Sequence, residues 1–211
     1  MVAIAIGLVV LASVTTMFVQ NVKAGGDTLK MARLNQELQA VMSMMTRDIR
    51  RAGYWGNASS AIGSSTPNPN PFALDATGNY IGEAANSCIT FSYDMDGDGN
   101  LDVGSGASPT DDPDERLGFR LNSGALEARQ SGFDCTAGGW QDITDPATTE
   151  ITGLTFALDT KSVDIDGLGA GTSLIIVREV TITLSGRLRK DTGVSRTLQD
   201  KVRVHNDLYL P

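Results

Sequence analysis

A chain of 211 residues with 41% apolar residues is long enough for one globular domain plus an extension. Its net charge of −8 argues against nucleic acid as a partner, because holding phosphates needs a clustered excess of Lys and Arg. The charge is uneven: Ala52 to Glu115 holds ten acidic residues and no Lys or Arg, so that window carries −10 and the rest of the chain is slightly basic.

Read from the amino terminus, "MVAIAIGLVVLASVTTMFVQ" has no charge from Met1 to Val19, and only Ser13, Thr15 and Thr16 are polar. A helix of that length spans about 28 Å, close to the thickness of a hydrocarbon core. A cleaved signal peptide would show a basic start, a shorter apolar run and a small-residue cleavage site. None is clear here, so residues 1–20 are expected to stay on the protein in a membrane or an equally apolar assembly. Gly25-Gly26 then invites a local loosening or break, since helical glycine costs up to about 1 kcal/mol against alanine. Beyond it, Met31, Leu34, Leu38, Val41 or Met42, Met45 and Ile49 recur at three- and four-residue steps. That spacing predicts one apolar face of an amphipathic helix over 27–52, ending near Arg51-Ala52-Gly53. Arg47, Arg50 and Arg51 suit the negative end of its dipole. Residues 1–53 thus form one very long helix or two stacked ones, and 54–211 a head. The Met-rich stripe reads as packing, thioethers being good fillers of irregular gaps.

Residues 57–87, rich in Asn, Ser, Gly, Ala and Pro, read as an irregular surface loop. Strand patterns start at Cys88: "CITFSY" puts Ile89, Phe91 and Tyr93 on one face. "LGFRLNSGALEAR" (117–129) reads as a hairpin turning at Asn122-Ser123-Gly124. "ITGLTFAL" (151–158) is a further strand, and 173–189 pairs back onto 195–204 through Lys190-Asp191-Thr192-Gly193. The fold class is α+β, with the long helix packed along an antiparallel sheet.

The densest chemistry lies in "YDMDGDGNLD" (93–102). Set on a calcium loop, Asp94, Asp96 and Asp98 take positions one, three and five, and Gly99 takes six, where a sharp turn is needed. Asn100 would offer its backbone carbonyl at seven, and Asp102 falls at nine. Position twelve should be a bidentate Glu and is Ser105, so a later carboxylate must close the cage: Asp111, Asp112, Asp114 and Glu115 are the candidates. Hard oxygen donors without nearby His or Cys favour calcium over zinc or copper, and magnesium would need fewer carboxylates. The plain alternative is a solvated Asp/Gly turn. No helices are expected to flank the loop, which sets it apart from an EF-hand.

Catalytic readings are poor. The single histidine, His205, has no nucleophile motif around it and reads as a surface or strand-end residue. There is no Gly-rich phosphate loop and no HExxH. Trp55 and Trp140 read as packing residues rather than a sugar platform. The two cysteines, Cys88 and Cys135, fit one disulfide in an oxidising compartment or two thiols in the cytosol; the apolar amino terminus points outside the cytoplasm and so toward the bridge.

In order, "MVAIAIGLVVLA", "RDIRRAGYWG" (47–56), "SYDMDGDG", "ERLGFRL" (115–121) and "REVTITL" resemble a PilW-type minor pilin, the type IV pilus relative of the J-type minor pseudopilin of type II secretion. The resemblance covers nearly the whole chain, and "RRAGYWG" after a long apolar helix is its most specific part. Such proteins carry a short basic leader cut before an "F-T-L-I-E" type start. By the resemblance, Met1-Val2 is expected to fall a few residues inside the mature helix, past the family's leader, cleavage site and glutamate.

The resemblance implies a pilin-like fold and a structural role in initiating or capping a type IV pilus near its tip. It implies other minor pilins and the major pilin as partners, a tip adhesin as a further candidate, and the inner membrane as host before assembly. The head would face the periplasm and later the exterior, where a Cys88–Cys135 bridge suits the oxidising conditions and closes a loop around the acidic segment. It also favours Glu115 as the closing ligand, since the family tends to hold an acidic residue just before its "GFR" strand. Two rival readings stand beside it: a type II secretion pseudopilin, and a membrane-anchored periplasmic calcium-dependent enzyme or lectin.

Overall fold

The computed structural model describes residues 2–61, 70–72, 82–84, 87–104, 113–129, 132–165, 167 and 174–210. One helix, α1 (Val2–Arg51), runs unbroken through Gly25-Gly26. Of the two alternatives, one long helix or two stacked ones, the first holds, and Gly25 and Gly26 both face open space. The upper half of α1 carries the expected stripe. Leu34, Leu38, Met45 and Ile49 are fully buried, and Val41 and Met42 nearly so. Each such Leu or Ile contributes about 1.5–3 kcal/mol relative to exposure. Met31 departs from the stripe and is 39% exposed, because the head first reaches the helix only at about its level. There Lys30 Nζ meets Asp191 Oδ2 at 2.8 Å. Below that contact the large apolar side chains described, from Val2 to Leu29, are exposed, and the segment is long and apolar enough to cross a membrane.

The head holds two antiparallel sheets where the sequence reading expected one. The first orders β1 (Gly82–Ala84), β2 (Cys88–Ser92), β3 (Arg116–Asn122), β4 (Ala125–Ala128) and β5 (Gln141–Asp142) side by side. The second orders β6 (Thr149–Asp164), β7 (Leu174–Leu188) and β8 (Asp191–Arg203), with β9 (Leu208–Leu210) also on β7. The β3–β4 hairpin closes through Ser123 and Gly124, at φ 50° and 83°. Two positive φ values match the twist of the flanking strands, which explains the glycine. Alternation fails on β2. Ile89, Phe91 and Tyr93 enter the core as expected, yet Cys88, Thr90 and Ser92 are buried as well. The fully buried Phe72 lies over that second face, its carbonyl accepting from Ser92 Oγ at 3.4 Å.

On β7, Val180, Ile182 and Leu184 alternate inward and join the helix stripe in one core. Thr149 Oγ1 of β6 also donates to Glu37 Oε2 at 2.6 Å, tying helix to sheet. The helix ends at Arg51, with Gly53 at φ +73°, the left-handed geometry that glycine adopts cheaply. Its last carbonyls are taken up by the C-terminal segment. The His205 amide donates to Arg50 O at 3.0 Å, and Asn206 Nδ2 to Arg51 O and Ala52 O at 3.2 and 3.1 Å. The buried Arg178 of β7 in turn donates to Asn206 O at 2.7 Å, placing a cation at the negative end of the helix dipole.

The acidic loop as a candidate cation site

The acidic loop leaves β2 at Tyr93 and lands on the residues that follow the helix. The Gly53 amide donates to Ser92 O at 2.8 Å, and the Asp94 amide to Tyr54 O at 3.0 Å. The Gly56 amide donates to Asp94 Oδ2 at 2.8 Å, and Trp55 Nε1 to Gly99 O at 2.8 Å. Sequence reasoning treated "GYWG" and "DMDGDG" as separate features and missed that one seats the other. The available signal was the pair of glycines around an aromatic dipeptide just past the helix end. A Cβ on Gly56 would lie 2.9 Å from Asp94 Oδ2 and 3.0 Å from Gly97 Cα, so only glycine lets the two segments approach this closely.

Asp94 organises the loop from beneath. It is fully buried, and besides Gly56 it accepts from the Gly97 amide through Oδ1 at 2.5 Å and the Gly99 amide through Oδ2 at 3.1 Å. A buried carboxylate is tolerable when amides surround it in this way. Gly97 and Gly99 sit at φ +87° and +85°, which is how the chain bends tightly enough to point several amides at one side chain.

Around this anchor the carboxylates form two trios sharing Asp96: Asp94, Asp96 and Asp98, and Asp96, Asp102 and Glu115. Within each trio, one ligand atom per residue lies within 4.8 Å of the others. Glu115 closes the loop from the start of the next strand. Its Oε1 accepts from the Met95 amide at 2.5 Å and its Oε2 from the Asp102 amide at 3.0 Å. Asp114 turns away, pairing with Arg116 at 2.6 Å. Asp111 and Asp112 lie outside the described residues. The Asn100 side chain and amide both donate to Asp98, at 2.8 and 2.7 Å. These bonds, the amide's first, hold the Asp98 carboxyl below its ordinary range.

Burial pushes Glu115 above the usual carboxylate range; two amide bonds oppose this, and the charges of Asp102 and Asp94 add to the push. The site therefore gathers like charges that a bound cation would relieve. The donors of the two trios are all carboxylate oxygens, a set that fits a hard cation such as calcium. Asp96 is exposed and borders a cleft of about 410 Å³ that also touches Arg50, Tyr54, His205 and Asn206, which gives solvent a path to the shared carboxylate.

A second clamp holds the same part of the head. Cys88 and Cys135 are joined by a disulfide with Cα atoms 6.1 Å apart. The Arg120 guanidinium donates to Cys135 O at 3.0 Å and Ala137 O at 2.7 Å, and lies 4.7 Å from the Trp140 ring. Trp55 and Trp140 thus both serve packing contacts, one on the acidic loop and one on the disulfide loop.

A family model described as PpdB, prepilin peptidase-dependent protein B, matches residues 27–204. The chain belongs to that family. The matched span takes in the buried half of α1, the seat, the acidic loop and strands β1 to β8. No curated protein and no solved structure matches the chain. The PpdB family is pilin-like and structural rather than catalytic, and with the apolar half of α1 it fits a membrane-anchored protein.

Proposed function

We propose that this PpdB-family chain is a PilW-type minor pilin that helps to initiate or cap a type IV pilus together with other minor pilins. The observation that carries the reading is the division of α1: its upper half is gripped by the head, and its lower half is apolar and bare. A bare apolar helix suits a membrane before assembly and a helical filament core afterwards, and little hydrophobic burial is lost in the exchange. The head then faces the periplasm and later the exterior. We assign calcium to the acidic loop, with Asp96, Asp102 and Glu115 as its central ligands and Asp94, Asp98 and the Asn100 carbonyl completing the set. What supports this is the shared carboxylate geometry and the all-oxygen donor set. The ion's work is structural: it neutralises the loop and fixes β2 against β3.

Deleting the gene tests the filament reading. Loss of surface pili, restored by the full-length gene, supports it. Normal piliation contradicts it, and normal piliation with failed protein secretion points to the pseudopilin alternative.

A further inference from the structure

The charge of this molecule is polarised along α1. The acidic loop sits at the carboxyl end of the helix, while the opposite end of the head, where the bare helix emerges, is basic. The segments 23–33, 145–150 and 187–196 that form this end hold seven Lys or Arg against four Asp or Glu. Glu150 is engaged by Arg187 and Arg189, and Asp27 and Asp191 both pair with Lys30. The β7–β8 turn lies level with Lys30 through the Asp191 contact, so Lys190 stands beside the helix exit. A hollow of about 360 Å³ opens there between Arg33, Lys190 and the Lys30–Asp191 pair. Lys23, Arg33, Arg189, Lys190 and Arg196 are all exposed.

Distance decides what this collar meets. The last apolar residue before the first charge, Lys23, is Val22, and Lys30 lies eight residues above it, about 12 Å along the axis. The headgroup zone of a bilayer reaches roughly 5–7 Å beyond the hydrocarbon. The gap that remains is within the reach of a Lys or Arg side chain and shorter than the Debye length of about 8 Å at physiological salt. We infer that this collar is a docking surface for anionic phospholipid headgroups, which orients the head on the membrane that holds the helix. The inference rests on the membrane-anchored reading above. The acidic pole of a second copy offers the same sign of charge. The membrane is favoured because the collar lies beside the helix that is, among the described residues, long and apolar enough to enter it.

The test uses the full chain reconstituted into vesicles of phosphatidylcholine alone or of phosphatidylcholine with phosphatidylglycerol. Amide hydrogen exchange is then followed over residues 187–193. Exchange in this turn slows about fivefold in the anionic vesicles. The slowing disappears in high salt and in the Arg33→Gln, Lys190→Gln double variant, neither residue being part of the core. Equal exchange in both vesicles overturns the proposal while leaving the anchor reading intact. Slowing that ignores lipid charge but grows with the number of chains per vesicle overturns it in favour of a second copy. A chain that fails to float with either vesicle overturns the anchor reading and this inference with it.

Discussion

The Gly56 amide and Asp94 Oδ2, 38 positions apart in sequence, lie 2.8 Å apart, and this bond makes the helix end and the acidic loop one unit. The four residues after Gly53 form a platform on which the loop is built, and Asp94 is the joint. Any change of shape at Gly56 is therefore felt at the carboxylate ring.

Gly56→Ala tests that joint. The added methyl would meet Asp94 Oδ2 and Gly97 at 2.9–3.0 Å, so destabilisation of about 1–3 kcal/mol is expected in denaturant or thermal unfolding. Gly26→Ala is the control. Nothing lies within 4 Å there, and the helix should gain roughly 1 kcal/mol.

Much of the fold was legible because helix and strand periods are local. Leu34, Leu38, Met45 and Ile49 declared their face by spacing, and Ser123-Gly124 declared the hairpin by turn chemistry. Met31 was misplaced because where the head begins along the helix is a tertiary fact. The division into two sheets was hidden for the same reason, and so was the burial of Ser92, whose hydroxyl meets the carbonyl of Phe72, from a loop without periodicity. At the candidate site, the spacing of the aspartates already pointed to a cluster of carboxylates. The roles of Gly56 and Trp55 did not, since a seat is a relation between segments far apart in sequence.

Asn206→Ala removes two hydrogen bonds that cap the end of α1, to Arg51 O and Ala52 O at 3.2 and 3.1 Å. The loss should be on the order of 1–2 kcal/mol, with faster amide exchange in the last helical turn. An unchanged melting temperature would mean that water replaces the cap without cost.

Replacing both cysteines by serine opens a loop of 47-residue separation that encloses the acidic ring. Stability should fall by about 2–4 kcal/mol, or on the order of 5–15 °C in Tm for a chain of this size. Differential scanning calorimetry of the oxidised and double-serine proteins measures this directly.

Asp48 gives a pH signature outside the loop. Burial raises its carboxyl above the ordinary value of 3.8, and Arg47 and Arg51 offset this only in part. A raised folded pKa means that the group's stabilising contribution is complete below the unfolded value and is lost as pH rises through the folded one. Asp48→Asn should therefore be the more stable protein at pH 7, and the difference should close as pH falls toward 3.8. A difference that widens on acidification would show that the charged form of Asp48 is the stabilising one.

The loop itself is tested most directly by the melting temperature of the full chain, held in detergent, as calcium is added to chelator-treated protein. Ligand at about a hundred times its dissociation constant stabilises by roughly 2.7 kcal/mol, so Tm should rise on the order of 5–10 °C. Magnesium should do much less, and Asp96→Ala or Glu115→Gln should abolish the rise. A Tm that stays constant across millimolar calcium in the unaltered protein would contradict the assignment and leave the ring as a solvated acidic turn.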